Sequence, residues 1–352
     1  MRVKASILGH LGEGKNLLNG QTIKTKIVAE ELQNQLGQDQ VLKIDTYGGW
    51  INLFKAPFQT FCALKNSANV LIFPAHNGLR VYAPLLYLQR YIFSNTKLHY
   101  IVIGGWLPDF LLERKCLSRI LKSFDGIYVE TSTMKAALEA QGFSNIYIMP
   151  NGKNLSVLSA DELVYDHQEP YKLCIFSRVM KEKGIEDAVQ AVIAVNSHFG
   201  RTVYTLDIFG QIDPGQKQWF AELQKTFPDE ICYRGVVPFD KSVEVLKDYF
   251  AMLFPTRFYT EGIPGTIIDA YAAGIPVIAA KWESFADMIE DGVTGIGYHF
   301  GDNNALTSVL MDISSAPEDI LAMKLNCLRK AKAYCPETAI DVLVQNMEKG
   351  MK

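Results

Sequence analysis

Two carboxylates, Glu261 and Asp269, flank the run Gly262, Ile263, Pro264, Gly265 and Thr266. A strand ending near Phe254, a loop and a helix start are legible in this stretch. Pro264 suits the first turn of a helix. The amides of Gly265 and Thr266 then lack a partner one turn back and point outward at the positive end of the helix dipole, a ready-made anion site. Phosphate is the natural guest. Glu261 lies before the helix and Asp269 about two turns along its inner edge, so the two acids can grip hydroxyls at opposite ends of one extended, hydroxyl-rich ligand.

A second set of charges stands in Phe176, Ser177, Arg178, Val179, Met180, Lys181, Glu182, Lys183 and Gly184, between a strand and a helix beginning near Ile185. Arg178 offers a planar fork of donors that fits phosphate oxygens, and Lys183 a point charge. Together they can neutralise a diphosphate and the charge that grows on it when a bond to it breaks. A solvated basic turn is the plainer reading of the same residues. Two further strand-end turns, at Gly210 and at Val237, can supply backbone groups and an apolar wall for a flat base, or serve simply as turns.

Near the start, Gly9, Gly12, Gly14 and Lys15 match the spacing of a phosphate-cradling loop after a strand, but Asn16 stands where a hydroxyl should hold magnesium. A glycine-rich loop whose bare backbone approaches a ligand, through Gly12, Gly14 and Asn16, fits better. His10 and His76 each follow a strand and can enter a site or be satisfied structurally. The segment 109–124 sets Phe110, Leu111, Leu117, Ile120, Leu121 and Phe124 among Arg114, Lys115, Arg119 and Lys122, the pattern of a basic amphipathic helix that either packs with a solvated face or touches a membrane surface. No Asp-x-Asp and no His pair at ligand spacing occurs, so the expectation is no metal and no cofactor beyond the substrate.

These residues need a scaffold that brings strand ends together. Apolar runs near 2–8, 41–45, 70–74, 98–103, 126–130 and 146–149 alternate with helical patterns, and after a polar stretch at 151–170 the rhythm recurs near 171–176, 203–209, 231–234, 251–254, 276–280 and 295–298. This predicts an α/β protein of two Rossmann-like domains, 1–165 and 166–335, facing each other across a cleft. A terminal helix over 336–352, set off by Pro336, is expected to cross back to the first domain. Ligands of such sheets lie beyond the carboxyl ends of the strands.

The 352 residues, 48% hydrophobic and 21% charged, suit a folded chain of about two domains. Lys plus Arg total 35 against 38 for Asp plus Glu, a net charge of -3, which disfavours a nucleic-acid protein. Six scattered cysteines without a Cys-x-x-Cys pair read as buried, reduced thiols. With no signal-peptide pattern and no apolar run of membrane-spanning length, the expected place is the cytoplasm, with room for peripheral contact at the inner face of the membrane.

In the second half, Arg178 and Lys183-Gly184, then Glu261 and Asp269, Gly274, Pro276, Val277 and Ile278, and finally Asp291, Gly292 and Gly295, occur in the order and spacing that resembles the retaining GT-B glycosyltransferases of family 4, a group containing many bacterial enzymes of capsular, exopolysaccharide and lipopolysaccharide synthesis. The first half is similar only in outline. The resemblance implies a nucleotide-sugar donor, UDP-hexose by preference, in the second domain and a glycan or lipid-linked glycan acceptor in the first. Catalytic roles fall on Glu261, Arg178 and Lys183, and donor contacts on these with Gly210, Val237, Gly262 to Thr266 and Asp269. Where the family commonly has Glu for the ribose this chain has Asp269, where it has paired glycines this chain has Glu283-Ser284, and the family's first-domain histidine has no counterpart in Ile103 to Pro108. A non-catalytic sugar-nucleotide-binding subunit and a UDP-sugar 2-epimerase of the same fold are the alternatives.

Overall fold

The computed structural model describes every residue except 1, 13, 15–19, 49, 155, 303 and 350–352. The chain divides into two compact units, Met1–Asn154 with Tyr334–Lys352, and Leu155–Ala333.

The first unit is built from β1 (Val3–Gly9), α1 (Gly20–Leu36), β2 (Val41–Asp45), α2 (Trp50–Asn66), β3 (Ser67–Ile72), α3 (His76–Arg90), β4 (Lys97–Ile101), α4 (Leu107–Leu112), α5 (Lys115–Leu121), β5 (Gly126–Val129), α6 (Ser132–Ala140) and β6 (Ile146–Ile148). Its six strands form one parallel sheet in the order β2-β1-β3-β4-β5-β6. Alternate strand residues serve opposite faces. Ile7, Leu71, Ile101 and Tyr128 meet Val28 and Leu32 of α1. Leu8, Ile72, Tyr100 and Ile127 meet Leu64 of α2, Leu79 and Leu86 of α3 and Leu121 of α5. Because both faces are covered, the strands read as continuous apolar runs rather than as alternation.

The second unit follows the same plan with β7 (Tyr171–Phe176), α7 (Ile185–Phe199), β8 (Tyr204–Phe209), α8 (Lys217–Gln224), β9 (Ile231–Gly235), α9 (Ser242–Leu246), β10 (Ala251–Phe254), α10 (Gly265–Ala272), β11 (Val277–Ala280), α11 (Phe285–Met288), β12 (Gly295–Tyr298), α12 (Ala305–Ser315) and α13 (Pro317–Ala331). The parallel order is β12-β11-β10-β7-β8-β9. Pro336 opens α14 (Pro336–Glu348), whose Ile340, Leu343 and Met347 enter the same core cluster as α1. The stretch 151–170 holds one short turn of 3-10 helix, Ala160–Glu162, closed by a reciprocal Ser159 and Glu162 capping box.

Two sequence expectations are corrected. The segment 109–124 is not one amphipathic helix with an apolar face to offer a membrane; it is split between α4 and α5, and Leu111, Leu117, Ile120, Leu121 and Phe124 are core residues. The helical spacing of its apolar side chains reflects packing inward, and its cations are the solvated side. Nor are all cysteines buried: Cys174 and Cys327 are, while Cys116 on α5 is exposed.

Packing of α13 buries one charge. Lys324 is fully enclosed, with its ammonium 3.4 Å from the Tyr249 carbonyl, and desolvation pushes its pKa down to about 8. The folded state therefore releases this proton before the unfolded chain does. The penalty is fully present below pH 8 and is relieved as pH rises towards the ordinary lysine range. Lys324→Met should accordingly stabilise the protein by about 3 kcal/mol at neutral pH, with the gain over wild type shrinking above pH 8. Paired thermal melts across that range check it; a gain that does not change with pH would contradict it.

Candidate active site

Of the sequence-predicted cations and acids of the second unit, Lys183 and Glu261 come together beyond the ends of β7 and β10. After Phe176 the chain turns through Lys181–Lys183, a single turn of 3-10 helix, and Gly184 then takes up a left-handed conformation, φ 67°, from which α7 starts. A Cβ on Gly184 would lie 1.8 Å from the carbonyl oxygen of Pro255. Only glycine lets the two loops approach this closely. The Arg257 amide seals the approach by donating to the Glu182 carbonyl at 2.8 Å.

This approach delivers Lys183 to Glu261. The Lys183 ammonium donates to Glu261 Oε1 in a short ion pair, each side chain only 16% exposed. The other carboxylate oxygen accepts from the Thr256 hydroxyl at 2.8 Å. The rings of Phe254 and Phe258 lie 5.7 and 5.4 Å from the ammonium. Thr256 is a site residue that sequence reasoning missed; its place two residues after a strand is the signal that could have found it. Cation and acid are thus held against each other, and an anion arriving at Lys183 has to compete with Glu261.

Arg178 is different. It is 63% exposed, and its guanidinium is 3.8 Å from Asp213, too long for a tight bond, so its donor fork stays open to solvent. Asp213 itself accepts from the Gly215 amide at 2.9 Å.

The start of α10 meets the expectation with one correction. Pro264 is the N-cap, with φ -70° and ψ 120°, rather than the first helical residue; no side chain caps the helix, and the space where a Cβ of Gly265 would sit is open. The Ile267 amide donates to the Pro264 carbonyl at 3.1 Å, so the amides that the helix start can offer an anion are those of Gly265 and Thr266. Thr266 turns its hydroxyl back to the Phe176 carbonyl, pinning α10 to the end of β7. Gly262 is half-buried, and the Ile263 side chain is buried below the loop.

Asp269 does not stand open to the surface. It is 2% exposed and accepts from the Ser242 hydroxyl of α9 at 2.9 Å. Gly210, with φ 135°, lies so near Ser177 that a Cβ would come within 1.7 Å of its carbonyl oxygen. Its amide donates to the Gly235 carbonyl and its own carbonyl accepts from the Tyr233 hydroxyl, each at 2.8 Å. Gly210 thus fastens the β7, β8 and β9 ends together, and Val237 follows half-buried after that turn. Glu283 is exposed while Ser284 is buried, and the Glu283 amide donates to the Tyr259 carbonyl, tying this segment to the loop before Glu261.

In the first unit a cavity of about 330 Å³ at the strand ends is lined by His10, Gln21, Thr46, His76, Asn77 and Tyr82 among others. His10 Nδ1 is 2.8 Å from the Thr22 hydroxyl, and burial holds its pKa below the ordinary value against the opposing pull of Asp45. His76 stacks on Trp106 with 3.9 Å between ring centroids, so the segment Ile103 to Pro108, which lacks a histidine, presents an aromatic ring to one instead. The Asp45 carboxylate, unforeseen from sequence, accepts from the amides of Leu11 and Tyr47 and shapes the glycine-rich loop. Gly12 and Gly14 have φ of 57° and 75°; Asn16 lies outside the described residues.

Residues 170–315 match the family model described as Glycosyl transferases group 1. Over 168 residues the chain is 24% identical to the amylovoran biosynthesis glycosyltransferase AmsK of Erwinia amylovora, a match that covers 47% of this chain and 41% of that one. The chain thus spans about two fifths of the length of the curated relatives it matches. Among solved structures, Anabaena HepE in complex with UDP has a TM-score of 0.75 at 13% identity, covering 99% of this chain and all of that one. The lipopolysaccharide outer core galactosyltransferase WaaB, in its apo form, has a TM-score of 0.73 at 14% identity, with coverage of 99% and 100%. The fold is the α/β GT-B fold with two Rossmann-like domains.

Proposed function

We propose that this protein is a retaining, metal-independent glycosyltransferase of family 4, which moves a hexose from a nucleoside diphosphate, by preference UDP, to a glycan or lipid-linked glycan hydroxyl in bacterial surface polysaccharide synthesis. The observation that carries the reading is the Lys183–Glu261 ion pair, on the loop that follows β7 and also bears exposed Arg178, with Thr266 fastening the start of α10 to the end of that strand, within the residues that match the group 1 model. The second unit holds the donor and the first the acceptor, at the cytoplasmic side of the membrane.

Arg178, Lys183 and the Gly265 and Thr266 amides receive the diphosphate. Once Lys183 turns to phosphate, Glu261 is released to accept from the sugar's hydroxyls, with Thr256 steadying the carboxylate. Asp269 reaches the ribose only by sharing its bond to Ser242, and the Ser242 hydroxyl becomes part of that contact. In the reaction the bond from the anomeric carbon to the departing phosphate oxygen breaks as the bond to the acceptor oxygen forms on the same face. The acceptor's proton passes to the departing phosphate oxygen, which the cations stabilise as charge develops. Positive charge from side chains and amides does the work that a bridging metal does elsewhere.

A panel of UDP-, GDP- and dTDP-sugars read by thermal shift tests the proposal. A nucleotide-dependent rise in Tm, largest for one donor class, followed by release of that nucleoside diphosphate on incubation with acceptor extract, is expected. No shift with any sugar nucleotide would defeat it.

A further inference from the structure

The first unit exposes large apolar side chains that neither core nor candidate site uses. On α2, Phe54 is 86% and Phe58 72% exposed, and Phe61, one turn further along the same stripe, is also uncovered. The stripe continues onto the turn that follows α3. Phe61 packs edge-on against Phe93, ring centroids 5.3 Å apart, beside exposed Tyr91 and Ile92, and Gln89 donates to the Pro57 carbonyl. Solitary exposed apolar residues are ordinary, but a contiguous run on a helix and the turn packed against it marks an interaction surface.

Within the α2–α3 segment itself the charge has one sign, although Arg90 at the end of α3 is paired with Asp125. No Asp or Glu occurs between Asp45 and Asp109, so α2, α3 and the turn after them carry cations only. Lys55 flanks the stripe and Lys65 extends it by a further turn; both are exposed. The adjoining α5 adds exposed Lys115 and Arg119. Aromatic side chains able to enter the boundary of a bilayer, among lysines long enough to reach its headgroups, are complementary to an anionic lipid surface.

We propose that the face formed by α2 and the end of α3 docks this protein on an anionic membrane. The docking surface lies elsewhere than the 109–124 alternative, and it does not depend on the reading of the second unit. Cosedimentation of the full chain with phosphatidylcholine vesicles, with and without phosphatidylglycerol, tests it. Binding is expected to require the anionic lipid, to weaken with added salt, and to fall at least about tenfold in Phe54→Ser/Phe58→Ser and in Lys55→Glu/Lys65→Glu. All four side chains are exposed, so the variants should melt as the wild type does. Equal binding to neutral vesicles, or binding untouched by both double variants, would overturn the proposal. So would self-association of the wild type, measured by light scattering, that the Phe54→Ser/Phe58→Ser change abolishes while no vesicle binding is seen, because the face would then belong to a second copy of the chain.

Discussion

Replacing Lys183 by Ala is expected to weaken UDP binding by about 10- to 100-fold, the worth of a charge-assisted bond to phosphate, and to lower turnover of a sugar nucleotide by about 100- to 1000-fold, because the cation is needed most as charge develops on the departing phosphate. The pairing with Glu261 adds a second consequence. In the variant the carboxylate keeps Thr256 as its one side-chain donor among the described residues and stays mostly buried, so a stability loss of about 1 to 2 kcal/mol accompanies the loss of binding. Lys183→Ala/Glu261→Gln should recover that stability without recovering binding. Calorimetric titration with UDP and thermal melts on the same samples separate the two effects. A single variant that binds UDP as the wild type does would remove Lys183 from the site.

Gly184→Ala is expected to lower Tm by about 10 °C and to abolish UDP binding. Its new Cβ would fall 1.8 Å from the Pro255 carbonyl oxygen, and backbone on both sides must move to relieve the collision. A loss of about 4 kcal/mol corresponds to roughly that shift for a unit of this size. Gly200→Ala is the control: it has nearly the same left-handed backbone, φ 63°, but nothing within 4 Å of the added atom. It should cost only the torsional strain, about 1 kcal/mol. If the two variants melt alike, close approach of the loops is not what positions Lys183.

The motif residues sort into two groups that a linear reading cannot separate. Lys183 and Glu261 touch, and the start of α10 is fastened to the end of the strand that leads to Lys183. Gly274, Gly292 and Gly295 belong to the same run of motifs but act in packing. A Cβ on Gly274 would meet Leu163 at 2.2 Å, and one on Gly295 the Val277 carbonyl at 2.1 Å; Gly292 takes φ 78° in the turn between them, where Asp291 accepts from the Gly297 amide. Gly210 belongs with these, since its backbone groups are already bonded within the protein. Thr256 and Asp45 escaped notice because a hydroxyl or carboxylate that steadies a neighbour has no spacing of its own.

What the sequence determined by itself was the pair of parallel sheets. Among the described residues each apolar run overlaps a strand, because a strand covered on both faces is largely apolar. It also determined which short stretches carry charge and glycine at strand ends. Only the tertiary structure decided that Lys183 and Glu261 touch, that Asp269 is enclosed with Ser242, that the apolar side of 109–124 turns inward, and that Phe54 and Phe58 turn outward. Helical spacing records that a helix has an apolar side; what covers that side, and which distant loop meets a given side chain, depends on contacts between residues far apart in the chain.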